Sequence, residues 1–156
     1  MEPDLTPFYL SGLNIKPRLY KSQLMRDYPR MSPLDLPVWE RYLKDNANKY
    51  ISIAYDLPCG TGVDCADETE ANMRDMYKHL TMKRIDAVGF NDSYIDLIEV
   101  KPVADIRALG QLIAYKHFFM EQYKPTVPVN MILLCGAARP DDVTVLQANN
   151  VKLYLV

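Results

Sequence analysis

The feature that most constrains the fold is a pair of apolar runs, Arg84 to Phe90 and Tyr94 to Lys101, separated by Asn91-Asp92-Ser93. Such runs on either side of a short polar loop read as a β-hairpin. A loop of two residues (Asp92-Ser93) and a loop of four (Asn91 to Tyr94) give the same register, and both place Asp86 directly opposite Glu99. Opposed residues in an antiparallel pair have Cβ atoms about 4.5–5.5 Å apart, so two carboxylates share one face. Lys101 stands two residues after Glu99. It faces the same way, because side chains alternate with a period of two.

Like charges in direct opposition destabilise a sheet. A divalent cation removes the conflict. Hard oxygen ligands on a rigid sheet suit Mg²⁺, which takes one or two carboxylates and keeps several waters. Such a centre can bind a scissile phosphate and lower the pKa of a water, while the neighbouring ammonium offsets charge that develops in the transition state.

The hairpin sits inside a regular alternation of patterns. Residues 1–33 carry five of the eleven prolines, with scattered tyrosines and the basic residues Lys16, Arg18, Lys21, Arg26 and Arg30. They read as an irregular arm. Its charges and aromatics are too dispersed to favour a phosphate-tracking arm over packing or a dimer contact. A helix starts near Ser32-Pro33 or Asp35 and buries Val38, Tyr42 and Leu43. Ile51 to Leu57 reads as a strand, broken at Cys59-Gly60-Thr61-Gly62. An acidic insertion of about residues 60–80 follows, a loop and then a short helix on which Met73, Met76, Tyr77 and Leu80 recur. Pro102 is expected to stop the second hairpin strand. Residues 104–123 have helical periodicity, 129–134 form a strand apolar on both faces, Pro140 opens a helix to about Asn149, and 151–156 close as a strand. The prediction is an α/β fold, a mixed central sheet with helices on its faces, in one domain over residues 34–156.

A chain of 156 residues fits one core. Its formal net charge of −2 provides no global basic excess, so a nucleic-acid partner requires a local basic rim and bound cations. The start, MEPDLTPFYL, has no basic segment followed by an apolar run, no stretch approaches a membrane span, and the three cysteines lack metal-site spacing. A cytoplasmic protein with reduced thiols is expected.

Three segments, Arg84-Ile85-Asp86-Ala87-Val88, Ile98-Glu99-Val100-Lys101 and Gly110-Gln111-Leu112-Ile113-Ala114-Tyr115, resemble the PD-(D/E)xK nuclease superfamily. Their motifs are most similar to its RecB-like and Cas4-like exonuclease branch. The resemblance covers about residues 34–135 and implies a restriction-endonuclease-like αβββαβ core. It implies metal ligation by Asp86, Glu99 and the backbone carbonyl of Val100, with Lys101 as the catalytic lysine and Gln111 and Tyr115 lining the site. The cofactor would be Mg²⁺ or Mn²⁺, and the reaction hydrolysis of DNA phosphodiester bonds by a metal-activated water. The family often adds an acidic residue from the first helix, for which Glu40 is the best candidate and Asp35 and Asp45 compete. Arg84, Arg107 and Lys116 are candidate substrate contacts, and Arg107, Gln111 and Tyr115 form one helical ridge. His79 and His117 receive no role.

The chain departs from the family in carrying Ile85 where a proline often stands, in lacking the iron–sulfur cysteines of the Cas4-like branch, and in its acidic insertion. The small size resembles stand-alone nucleases of phages, which would put the protein in the host cytoplasm. The competing expectation is a nuclease-fold module that binds DNA or protein partners in a DNA-processing or phage-assembly particle without catalysis. A third expectation is an enzyme of the same fold acting on RNA; nothing in the sequence reads 2′-hydroxyls, so a substrate panel decides between the two. A homodimer is expected where both strands of a duplex must be engaged.

Overall fold

The computed structural model describes residues 17–65 and 70–156. Residues 1–16 of the expected arm, and 66–69 of the insertion, lie outside the described residues. The chain forms α1 (Leu36–Asp45), β1 (Ser52–Cys59), α2 (Ala71–Thr81), β2 (Lys83–Phe90), β3 (Ile95–Val103), α3 (Arg107–Tyr123), β4 (Val129–Ala137), α4 (Pro140–Ala148) and β5 (Val151–Leu155). The five strands make one sheet in chain order, β1-β2-β3-β4-β5. β1, β2 and β3 are an antiparallel meander, and β4 and β5 add in parallel through the crossovers α3 and α4. The molecule is therefore α/β with a mixed sheet. No helix among the described residues is long and apolar enough to cross a membrane.

Two apolar layers cover the sheet. On one face α3 and α4 bury Ala108, Leu112, Phe119 and Leu146 against Val88, Leu97 and Leu133. On the other, α1 buries Val38, Trp39, Tyr42 and Leu43 against Ile53, Ala87, Ile98 and Ile132. The α1 residues recur at the three- and four-residue spacing that puts them on one stripe. Pro37 in the first turn suits a position whose N–H has no helical acceptor. α3 opens with the Asp105 carboxylate accepting the Arg107 and Ala108 N–H groups at 2.8 and 3.2 Å. It stops at Lys124, whose left-handed backbone precedes Pro125.

Two expectations change. Pro102 does not end β3, which runs on to Val103 against Ala137 of β4. By that point β2 has left the other edge of β3, so the missing N–H interrupts no ladder on that side. The insertion forms a longer helix than its apolar spacing marked, and none of the α2 residues is buried. Met73, Met76, Tyr77 and Leu80 all face solvent.

Candidate functional site

The hairpin closes through four residues, Asn91 to Tyr94, with the Asn91 N–H donating to the Tyr94 carbonyl at 3.0 Å. Its backbone register is the one read from the sequence, Phe90 with Ile95 through Ala87 with Ile98. The next opposed residues are Asp86 and Glu99, and there the ladder stops. The Asp86 Oδ2 instead accepts the N–H of Val100 at 2.9 Å. A carboxylate takes the place of a backbone carbonyl at the point where β2 and β3 part.

β1 shows a matching irregularity. The pairs Tyr55–Ala87 and Leu57–Ile85 flank Asp56 and Asp86, which stand opposite each other. Asp56 has a φ of 51°, in the left-handed region that a non-glycine residue adopts at a cost. On both strands the alternation of faces slips by one residue there. Ala54 and Val88 join the α3-side core, Tyr55 and Ala87 the α1 side, and then Leu57 and Ile85 the α3 side again. The result is a row of three carboxylates, Asp56, Asp86 and Glu99, across three adjacent strands.

Cations neutralise the two ends of the row. Asp56 receives Arg84 Nη1 at 3.0 Å and Arg30 Nε at 3.5 Å. Glu99 receives Lys101 Nζ at 2.9 Å. Among the described residues, Asp86 has only the Val100 N–H. Burial first, and then the charge of Glu99, push the Asp86 carboxyl up to about 7, while the Val100 N–H and Lys101 pull it down. Burial also raises Glu99, against the opposing effects of Lys101 and Tyr115. The pair thus holds a proton that two isolated carboxylates would release. For Lys101, burial disfavours the charge, but the bond to Glu99 and the charges of Glu99, Asp86 and Asp105 outweigh it, so its pKa rises.

Glu99 is buried, and its Oε2 has no hydrogen-bond partner among the described residues. A buried, unpaired carboxylate oxygen is costly, and an oxygen-seeking cation is one way to satisfy it. No group of three or more Asp, Glu, His or Cys residues is close enough to hold a metal among the described residues. A site here would rest on Asp86, Glu99 and backbone or water oxygens, which suits a cation that keeps much of its hydration.

Tyr115 also reaches this centre, with Gln111 behind it. Gln111 Nε2 donates to the Tyr115 hydroxyl at 3.3 Å. The Tyr115 pKa is raised by burial and then by the charges of Glu99 and Asp86, so the hydroxyl stays protonated beside them. Arg107 is exposed at the start of the same helix, and Lys116 is half-buried on it. Arg84 is held on the site's flank by the Asp56 carboxylate and carbonyl and by His79.

Glu40 lines a groove along α1 with Leu24, Met25, Pro37, Arg41 and Lys44. The acidic residue that α1 contributes is Asp35, whose charge raises Asp86 and Glu99 and whose own carboxyl, raised by burial, is lowered by Lys101. Helical phase explains the difference: Val38, Trp39 and Tyr42 turn to the sheet, so the position just before the helix approaches the strand ends. Asp56 and Arg30 were not anticipated as site residues. An aspartate interrupting the alternating strand Ile51 to Leu57 was the available signal. With the geometry in place, comparison with protein-family models, curated proteins and solved structures finds no match to this chain.

Proposed function

We propose that this chain is a Mg²⁺- or Mn²⁺-dependent deoxyribonuclease with a restriction-endonuclease-like fold of the PD-(D/E)xK kind. The observation that carries the reading is the buried Glu99 carboxylate with an unpartnered Oε2 beside Asp86, at the fork of β2 and β3, with Lys101 on the same face. Glu99, Asp86 and the Val100 carbonyl are the groups to hold the cation. When bound, it supplies the Lewis acidity that makes a water nucleophilic near neutral pH.

The chain's own residues do the rest. Lys101 sits where its ammonium can orient the attacking water and neutralise charge growing on the phosphoryl oxygens. The Val100 N–H fixes the Asp86 carboxylate, so that little reorganisation is left for the reaction. Tyr115, bonded by Gln111, brings a neutral hydroxyl beside Glu99, where it would help orient that carboxylate toward a bound cation. Arg107 and Lys116 on α3 are the basic groups proposed to meet flanking phosphates.

A second reading has its own observation. The Lys101–Glu99 pair at 2.9 Å already compensates the buried charge, which suits a nuclease-fold module that binds DNA or a protein partner without cleaving. One experiment separates the two. Linear, circular and single-stranded DNA are incubated with Mg²⁺ or Mn²⁺ and the wild-type chain, Asp86→Asn or Lys101→Ala. The nuclease reading expects ion-dependent cleavage in the wild type and a loss of about a hundredfold or more in each variant. Equal cleavage by all three proteins, or none by the wild type on any substrate, overturns it.

A further inference from the structure

The loop that leaves β1 forms a second, separate recess. Cys59, Gly60, Thr61 and Gly62 curl around a pocket of about 180 Å³ that also meets Lys83 and Phe118. Gly60 and Gly62 have φ of 82° and 70°, a conformation that glycine adopts without strain. The loop is fixed from outside. The Gln122 side chain clamps Gly60, accepting its N–H at 3.0 Å and donating to its carbonyl at 2.8 Å. At the other end the Val63 N–H donates to Thr81 Oγ1 at 2.7 Å. Between these anchors the N–H groups of Thr61 and Gly62 meet no acceptor among the described residues.

Successive backbone N–H groups in a loop with left-handed residues favour an anion. Beside them stands Lys83, exposed and in no ion pair among the described residues. Another wall is the half-buried ring of Phe118, which lies against Gly60 and meets the His117 ring edge-on. Anion donors and an aromatic ring in one recess match one nucleotide, phosphate on the loop and base on the ring.

The recess and the candidate active site share two elements, β2 and α3. Lys83 lies three residues from Asp86 on β2, about 10 Å of strand. Phe118 lies one turn beyond Tyr115 on α3, on the ridge that begins at Gln111. A strand whose scissile phosphate sits at Asp86 and Glu99 would reach the recess with a neighbouring nucleotide.

We infer that the Gly60–Gly62 loop, Lys83 and Phe118 form a nucleotide subsite that holds a phosphate and a stacked base of the substrate strand beside the reacting one. The assignment rests on the nucleic-acid reading above. It is tested by the binding of a short fluorescent single-stranded DNA to the full chain in EDTA, which suppresses ion-dependent cleavage. Affinities are measured over a range of salt for the wild type, Lys83→Gln and Phe118→Leu. Lys83→Gln should weaken binding and shrink the log–log salt slope by about 0.7, the value for one lost phosphate contact on a single strand. Phe118→Leu, which keeps an apolar side chain against the core, should weaken binding about tenfold and leave the slope unchanged. Wild-type affinity and slope in both variants, with thermal midpoints intact, overturn the subsite alone. A wild-type chain that binds no DNA at low salt overturns the subsite and the nucleic-acid reading together. If no ion-dependent cleavage is found but both variants lose affinity, the subsite stands and the nuclease reading falls.

Discussion

Asp56 and Arg30 meet at 3.5 Å, and both hold a left-handed backbone, with φ of 51° and 50°. Two strained residues in contact, beside the carboxylate Asp86 in one small recess with Pro29 and Met31, fit the tendency of backbone strain to collect at functional sites. Arg84 completes the arrangement from β2, only 19% of its side chain exposed and bonded to both the carboxylate and the carbonyl of Asp56. Asp56 thus engages two guanidinium groups. Among the described residues, the centre of the carboxylate row is left with the Val100 N–H and no ion pair.

That arrangement predicts an order of stabilities at position 56. Asparagine tolerates the left-handed region and keeps an acceptor for Arg84, so Asp56→Asn should cost about 1 kcal/mol, after allowance for the solvent screening of Arg30. A β-branched residue adds the backbone penalty, so Asp56→Val should cost about 1–2 kcal/mol more. Urea unfolding of the two variants and the wild type measures both steps. Equal losses in the two variants would mean that the backbone at Asp56 stores no strain.

The Asp86 and Glu99 carboxyls set the pH dependence of the ion-free protein. The folded-state pKa of Asp86 lies near 7, against 3.8 for the free side chain, and Glu99 is raised as well. The folded chain therefore binds more protons than the unfolded chain between these values. The stability contributed by this pair is fully present below about pH 4 and is lost as pH rises through about 7. At 1.36 kcal/mol per pKa unit the Asp86 shift alone sets an upper bound of about 4 kcal/mol. Thermal unfolding in EDTA should show the contribution falling over that window, and Mg²⁺ should restore most of it at pH 8. In Glu99→Gln the window should narrow, because the second cause of the Asp86 shift is gone. A flat profile in EDTA would contradict the buried, uncompensated carboxylate.

The register of the hairpin was legible because hydrophobic alternation and loop length fix it together, and one slipped residue would turn Glu99 and Lys101 away from Asp86. Alternation carried the reading only as far as Ala87. Beyond it the strands diverge and a side chain replaces a backbone acceptor, which no periodicity reports. The place of Glu40 in an α1 groove, with the charge of Asp35 felt at Asp86 and Glu99, was not legible for a different reason. Helical spacing shows which α1 residues share a stripe, but not how far the residue before the helix is carried toward the strand ends. Asp56 shows in the sequence only as an aspartate interrupting an alternating strand, and its left-handed backbone leaves no mark in composition. The Cys59 to Gly62 segment was legible as a break, and its clamp by Gln122 was not, since the partners are 62 residues apart.

Tyr115 is argued to act through Glu99, so its removal should appear first in cation affinity. Groups that orient a ligating carboxylate typically contribute 10- to 100-fold to metal binding. Tyr115→Phe should weaken Mn²⁺ binding by about tenfold in calorimetric titration, with the fold intact. Gln111→Ala, one hydrogen bond further out, should weaken it less. Unchanged Mn²⁺ affinity in Tyr115→Phe, where the wild type binds, would assign the hydroxyl to packing alone.

Two glycines predict opposite consequences for the same substitution. At Gly89 a Cβ would overlap the Tyr50 ring. That ring is buried, and its hydroxyl is tied to Tyr42 at 2.9 Å and to the buried Asp96 at 2.8 Å. It has no room to yield, so Gly89→Ala should cost about 1–3 kcal/mol of global stability. At Gly62 a Cβ would overlap the Lys78 carbonyl oxygen of α2, and φ is 70° besides. α2 buries none of its residues, so it can move away at little cost to the core. Gly62→Ala should leave the urea midpoint nearly unchanged while amide exchange over residues 71–81 accelerates, the signature of a locally opened segment. A global loss at Gly62 as large as that at Gly89 would show that α2 is coupled to the core despite its exposed surface.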